Sequence, residues 1–110
     1  MKIAFLNCRR VNPARDGLDL IYSYAVDDSN DIREIHVVAK LGAQIAWYMS
    51  DDEIYEYSKQ VFPLVVSLIN HYWATSRELP PQDFEYYEGR DLAYVRSSKL
   101  SWENFVLQLD

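Results

Sequence analysis

Ser50-Asp51-Asp52-Glu53 stands at the head of a long amphipathic run, and no other feature of the 110 residues restricts the fold as strongly. The tetrapeptide has the composition of a capping box: the serine oxygen accepts an early backbone N–H and the glutamate reaches back to the serine N–H. Its three carboxylates also sit at the positive end of a helix dipole. From there Ile54, Ser58, Val61, Phe62, Val65, Leu68, Ile69 and Tyr72 recur on one stripe at the helical period. Glu56, Lys59, Gln60, Ser67, Asn70 and Ala74 take the opposite side. Pro63 falls inside the run without shifting its phase, so the expectation is one Pro-kinked helix over residues 51–76, ending before Pro80-Pro81.

A helix apolar on one stripe has to lie on another layer, and the first forty residues supply it. Residues 2–8 have the character of a strand, and residues 12–17 carry strong turn chemistry. Over residues 18–26, Leu18, Leu20, Tyr22, Tyr24 and Val26 alternate with more polar neighbours, the period of a half-buried strand. Residues 32–40 repeat the pattern with Ile35, Val37 and Ala39, and the polar loop between them makes an antiparallel hairpin. A further strand is expected over 43–49, and two short ones over 84–88 and 92–96 around Gly89. Trp102, Phe105, Val106 and Leu109 recur at helical spacing behind Ser101, which predicts a short C-terminal helix over 101–109. The expected fold is a single α+β domain: an antiparallel sheet of four to six strands packed by the long helix and the short one.

Charge and composition narrow the function classes. The net charge is −6, with +4 gathered in residues 1–15 and therefore −10 on the rest. An acidic body repels nucleic-acid phosphate unless its basic groups share a face, so nucleic acid is disfavoured as a partner. The lone Cys8 allows no internal disulfide and fits a reducing, cytoplasmic setting. The most apolar window, 61–69, is far short of the ~20 residues that span a bilayer.

Motifs for chemistry are sparse. His36 and His71 have no second histidine or cysteine at ligand spacing, so no metal or cofactor is called for. Three glycines build neither a Walker loop nor a dinucleotide fingerprint. Cys8 reads as a small buried apolar group, and the acid pairs Asp51/Asp52 and Glu85/Glu88 as solvated carboxylates. What stands out is the aromatic content, nine Tyr, four Phe and three Trp. Tyrosine joins an apolar body to a polar tip and suits interfaces and pockets.

These residues favour a non-catalytic interaction domain, self-associating, with an acidic and tyrosine-rich surface such as 83–88 for a protein partner. The alternative is a small-ligand pocket or a modest enzyme built from Tyr, His and carboxylate side chains. Trp73, Tyr86, Tyr87 and His71 are the candidate binding residues. Leu64, Val66 and Trp73 widen the helix's apolar arc beyond what one sheet covers, and are the candidate dimer interface.

Overall fold

The computed structural model describes residues 1–11, 17–40, 48–92 and 100–110. The turn expected at 12–17 and the strands expected at 43–49 and 92–96 lie outside these residues, apart from their ends. Five strands and one long helix are described: β1 (Lys2–Arg10), β2 (Leu18–Val26), β3 (Ile32–Ala39), α1 (Asp51–Ser76), β4 (Glu85–Tyr87) and β5 (Val106–Gln108). The strands form one sheet in the order β4-β3-β2-β1-β5.

Helix α1 begins where the capping box places it. Ser50 Oγ accepts from Glu53 N and the Glu53 carboxylate accepts from Ser50 N. It continues through Pro63 without interruption to Ser76, and Arg77 closes it in the left-handed conformation, its N–H donating to Trp73 O. The predicted stripe is the buried face: Val61, Phe62, Val65, Leu68 and Ile69 are inaccessible or nearly so. They meet Leu18, Leu20, Tyr22 and Tyr24 of β2, Ile3 and Phe5 of β1, and Ile35 and Val37 of β3. Phe62 is the hub, with Phe5 (4.7 Å between ring centroids), Phe105 (5.2 Å) and Tyr22 (5.9 Å) around it.

Ser58 explains itself within this layer. It sits on the apolar stripe because its groups are taken up by the surrounding chains: its carbonyl accepts from Tyr22 Oη and its hydroxyl accepts from Trp102 Nε1. Both are neutral hydrogen bonds made in a buried seam, where leaving either group unpaired would be costly. Cys8 borders the same seam, and burial pushes its thiol up to about 12 despite hydrogen bonds to Tyr22 and Ser58. A thiol held so strongly protonated is a poor nucleophile.

Two expectations about the fold are corrected. The sheet is mixed rather than antiparallel, because β4 runs parallel to β3 with His36↔Glu85, Val37↔Tyr86 and Val38↔Tyr87 in register. Parallel neighbours need a long crossover, and α1, ~39 Å at 1.5 Å per residue, carries the chain back to the start of β3. The C-terminal helix is also absent from residues 101–109. Ser101 Oγ does accept from Glu103 N, but Asn104 then takes a left-handed φ of 56°, which ends the turn. The chain leaves it as β5, antiparallel to β1, with Leu107 opposite Ile3. Phe105, Leu107 and Leu109 then face the core at a period of two, which competes in the sequence with the helical spacing of Trp102, Phe105, Val106 and Leu109.

Candidate functional site

The last turns of α1 and strand β4 enclose a pocket of about 320 Å³ lined by Leu68, His71, Tyr72, Thr75, Ser76, Tyr86 and Asp91. Five of the seven come from the helix at i, i+3, i+4, i+7 and i+8, which is one face of an α-helix. The other wall is β4 and the turn that follows it. Tyr86 stands opposite Val37, on the helix side of the sheet, so its ring meets Tyr72 edge-on at 6.1 Å.

Strand alternation divides the aromatic candidates. Tyr87 projects to the opposite sheet face beside Val38, where its hydroxyl donates to Glu85 at 2.9 Å and the Arg90 guanidinium stacks 4.0 Å above its ring. Tyr86 and His71 therefore share the pocket, and Tyr87 does not. Trp73 is two residues on from His71, about 200° around the helix. Its indole N–H donates to the Asp110 main-chain oxygen at 2.9 Å, and Arg77 lies against its ring and bonds the same oxygen. Trp73 anchors the end of β5 to the helix.

The expected dimer residues are placed as follows. Leu64 is wholly buried within its own chain, so it has no side-chain surface to give a partner. Val66 and Trp73 are partly buried against the same core. The molecule measures 40 Å along its longest axis, enough to accommodate the whole helix, so helix length alone leaves no overhang that a second copy must cover.

Sequence spacing did not reveal Tyr72 or Asp91 as site residues, because each had a sufficient explanation elsewhere, in the core stripe and in a turn. Asp91 is positioned by its own turn. Its N–H donates to Tyr87 O at 3.1 Å, and its Oδ2 accepts from Tyr87 N. Gly89, at φ +80°, lets the chain double back tightly enough for that clasp. Arg90 Nη2 approaches the same Oδ2 at 3.6 Å, and among the described residues no hydrogen bond reaches Oδ1.

The Tyr86 hydroxyl lies 3.4 Å from both Tyr72 Oη and Pro81 O. Burial raises its pKa far above the ordinary phenol value, and the neighbouring Tyr72 and the Asp91 charge push the same way. Tyr86 is thus a fixed neutral phenol across the physiological range. The two aliphatic hydroxyls are committed to the helix: Thr75 Oγ1 donates to His71 O at 2.8 Å and Ser76 Oγ to Tyr72 O at 2.9 Å. What remains to meet a ligand is two aromatic rings, an imidazole and a carboxylate.

A second polar group lies on the far side of the sheet, where buried Asp19 on β2 and partly buried His36 on β3 approach to 3.8 Å, beyond hydrogen-bond range. Among the described residues no group of three or more His, Cys, Asp or Glu is arranged to hold a metal ion. No helix among them is long and apolar enough to cross a membrane. Comparison with family models, curated proteins and solved structures gave no match. The site's own geometry therefore carries the functional reading.

Proposed function

We propose that this chain is a non-catalytic interaction domain that engages a basic protein partner through the surface around the α1–β4 pocket. The observation that supports this reading is the convergence of Tyr72, Tyr86, His71 and Asp91 on one concave site whose hydroxyls are already hydrogen-bonded. Phe84, 58% exposed, stands at its rim with its ring 6.5 Å from Tyr86. Asp83 precedes Phe84 in sequence and Asp91 lines the pocket itself, so acids accompany the aromatic anchor, whereas Glu85 lies on the opposite sheet face with Tyr87. Aromatic groups with a charged rim are the usual composition of a recognition surface. A bend at Pro63 belongs to this reading, since it would tilt the distal half of α1 towards β4. So does a cytoplasmic setting, which rests on the lone, strongly protonated Cys8.

Immobilised protein probed with lysine-rich and glutamate-rich peptides of equal length tests the reading. The lysine-rich peptide is expected to bind at moderate salt, and the double variant His71→Ala/Asp91→Asn to lose it, since both residues are exposed and their replacement spares the core. Equal retention of both peptides, or binding indifferent to the double variant, would reject it.

Self-association is supported by a different surface from the one the sequence suggested. Val106, Ala4, Ala25 and Ile32 are register partners across β5, β1, β2 and β3, and form one apolar row on the sheet face away from α1. Val106 and Ile32 are half exposed, and Leu6, extruded by the irregularity between Phe5 and Asn7, adds a third half-exposed side chain on β1. Two such rows packed face to face would bury one another in the manner of stacked sheets. Sedimentation equilibrium at micromolar concentration is expected to give a dimer that Ile32→Asp converts to monomer. A wild-type monomer contradicts the proposal.

A further inference from the structure

Taking the pocket reading as its basis, we infer that the α1–β4 pocket accepts an alkylammonium group, the head of a lysine side chain or a free primary amine. The pocket lies at the C-terminal end of α1, where the helix dipole is negative; the last turn carries no basic residue, and the side chain of the capping Arg77 is turned away to Trp73 and the Asp110 main-chain oxygen. Asp91 adds a full negative charge on the facing wall, held in place by its clasp on Tyr87. Between these two negative ends stand the rings of Tyr72 and Tyr86, whose faces attract a cation. None of the lining residues is a lysine or arginine.

An anionic ligand is disfavoured by the same groups that favour a cation, since carboxylate or phosphate would face both Asp91 and the helix carbonyl end. An ammonium suits the acceptors better than a purely apolar ligand. Its three N–H groups can address Asp91 Oδ1, which receives no hydrogen bond among the described residues, and the phenol oxygens. The volume, about 320 Å³, is at the lower end for small-molecule sites and is large enough to admit an amine on a short alkyl stem. Among the described residues Arg90 approaches this carboxylate, at Oδ2 rather than Oδ1, with its guanidinium over the Tyr87 ring.

Isothermal titration with n-butylammonium, matched against n-butanol, tests this directly, with backbone amide shifts recorded in parallel. Saturable binding of the amine is expected, with shifts at residues 71–76 and 85–91 and at least about tenfold weaker binding of the alcohol. Asp91→Asn, which keeps an oxygen for the Tyr87 N–H, and Tyr72→Leu should each weaken the amine by about tenfold or more. Glu56→Gln, exposed and near the other end of the helix, should leave it unchanged. Nα-acetyl-lysine amide binding more tightly than butylammonium would identify a protein lysine as the source, and equal binding a free amine. Equal binding of amine and alcohol, no saturation, or an amine affinity indifferent to Asp91→Asn would each overturn the inference. Should lysine-rich peptides still depend on His71 and Asp91 after such a result, the interaction reading would survive and the ammonium assignment would not.

Discussion

Replacing Phe62 with alanine is expected to lower the stability of the fold by about 3–5 kcal/mol, the range for emptying a large aromatic site in a packed core. The position is fully buried and its ring touches aromatic neighbours from three separate segments: Phe5 on β1, Tyr22 on β2 and Phe105 just before β5. No one of these can collapse into the space without breaking its own strand register. Two of the contacts are near-perpendicular, at 90° and 82°, the edge-to-face geometry that adds to simple area burial. Phe62→Leu, which restores most of the apolar volume but none of the edge contacts, should cost about 2 kcal/mol. Urea unfolding monitored by tryptophan fluorescence would measure both. A loss under about 1 kcal/mol for Phe62→Ala would mean that the helix does not dock on the sheet through this residue.

Pro63→Ala is expected to act in the opposite direction, raising stability by about 1–3 kcal/mol. Proline in a helix interior removes the hydrogen bond to the carbonyl four residues back, here Lys59, and crowds it with the ring. Alanine restores the donor and is the best helix former, although it returns some freedom to the unfolded chain and so recovers less than the full ~3 kcal/mol propensity difference. The helix already runs unbroken through this point, so no new structure has to form for the gain to appear. Removing the bend proposed at Pro63 should at the same time draw Tyr72 away from Tyr86 and weaken ligand binding at the pocket. A protein more stable but weaker in binding is the expected pairing. A loss of stability would show instead that the proline geometry is required for α1 to follow the sheet.

How much of this was legible in the residues follows from the range of the interactions involved. The helix, its cap and its buried face depend on neighbours within a few positions, and the spacing from Ser50 to Tyr72 displays them directly. Strands β2 and β3 were equally plain, because Leu18 to Val26 and Ile35 to Ala39 alternate without interruption. The end of the chain was not, since the same four residues satisfy a helical period while Phe105, Leu107 and Leu109 satisfy a strand period. The decision between them is made by β1, which offers an edge a hundred residues earlier in the chain.

The site was half legible for the same reason. His71 and Tyr86 could be nominated by type, but their meeting requires the parallel return of β4 along β3, a pairing no local pattern encodes. That return also sets which way each side chain of β4 points, and so separates Tyr86 from Tyr87. Tyr72 is the residue where both levels act at once, its ring partly on the core and its edge on Tyr86. Leu64 shows the converse, an apolar residue that looked surplus to one sheet and is wholly covered within the chain.

The central claim, that the α1–β4 surface is a recognition site for basic groups on a protein, is tested most directly by mapping where such groups land. Backbone amide shifts should be followed during titration with a lysine-rich peptide, with a glutamate-rich peptide of the same length as control. Saturating changes concentrated at residues 68–76 and 84–92, absent with the acidic peptide, are predicted. Changes shared by both peptides, or centred on Ala4, Ile32 and Val106 across the far face of the sheet, would contradict it.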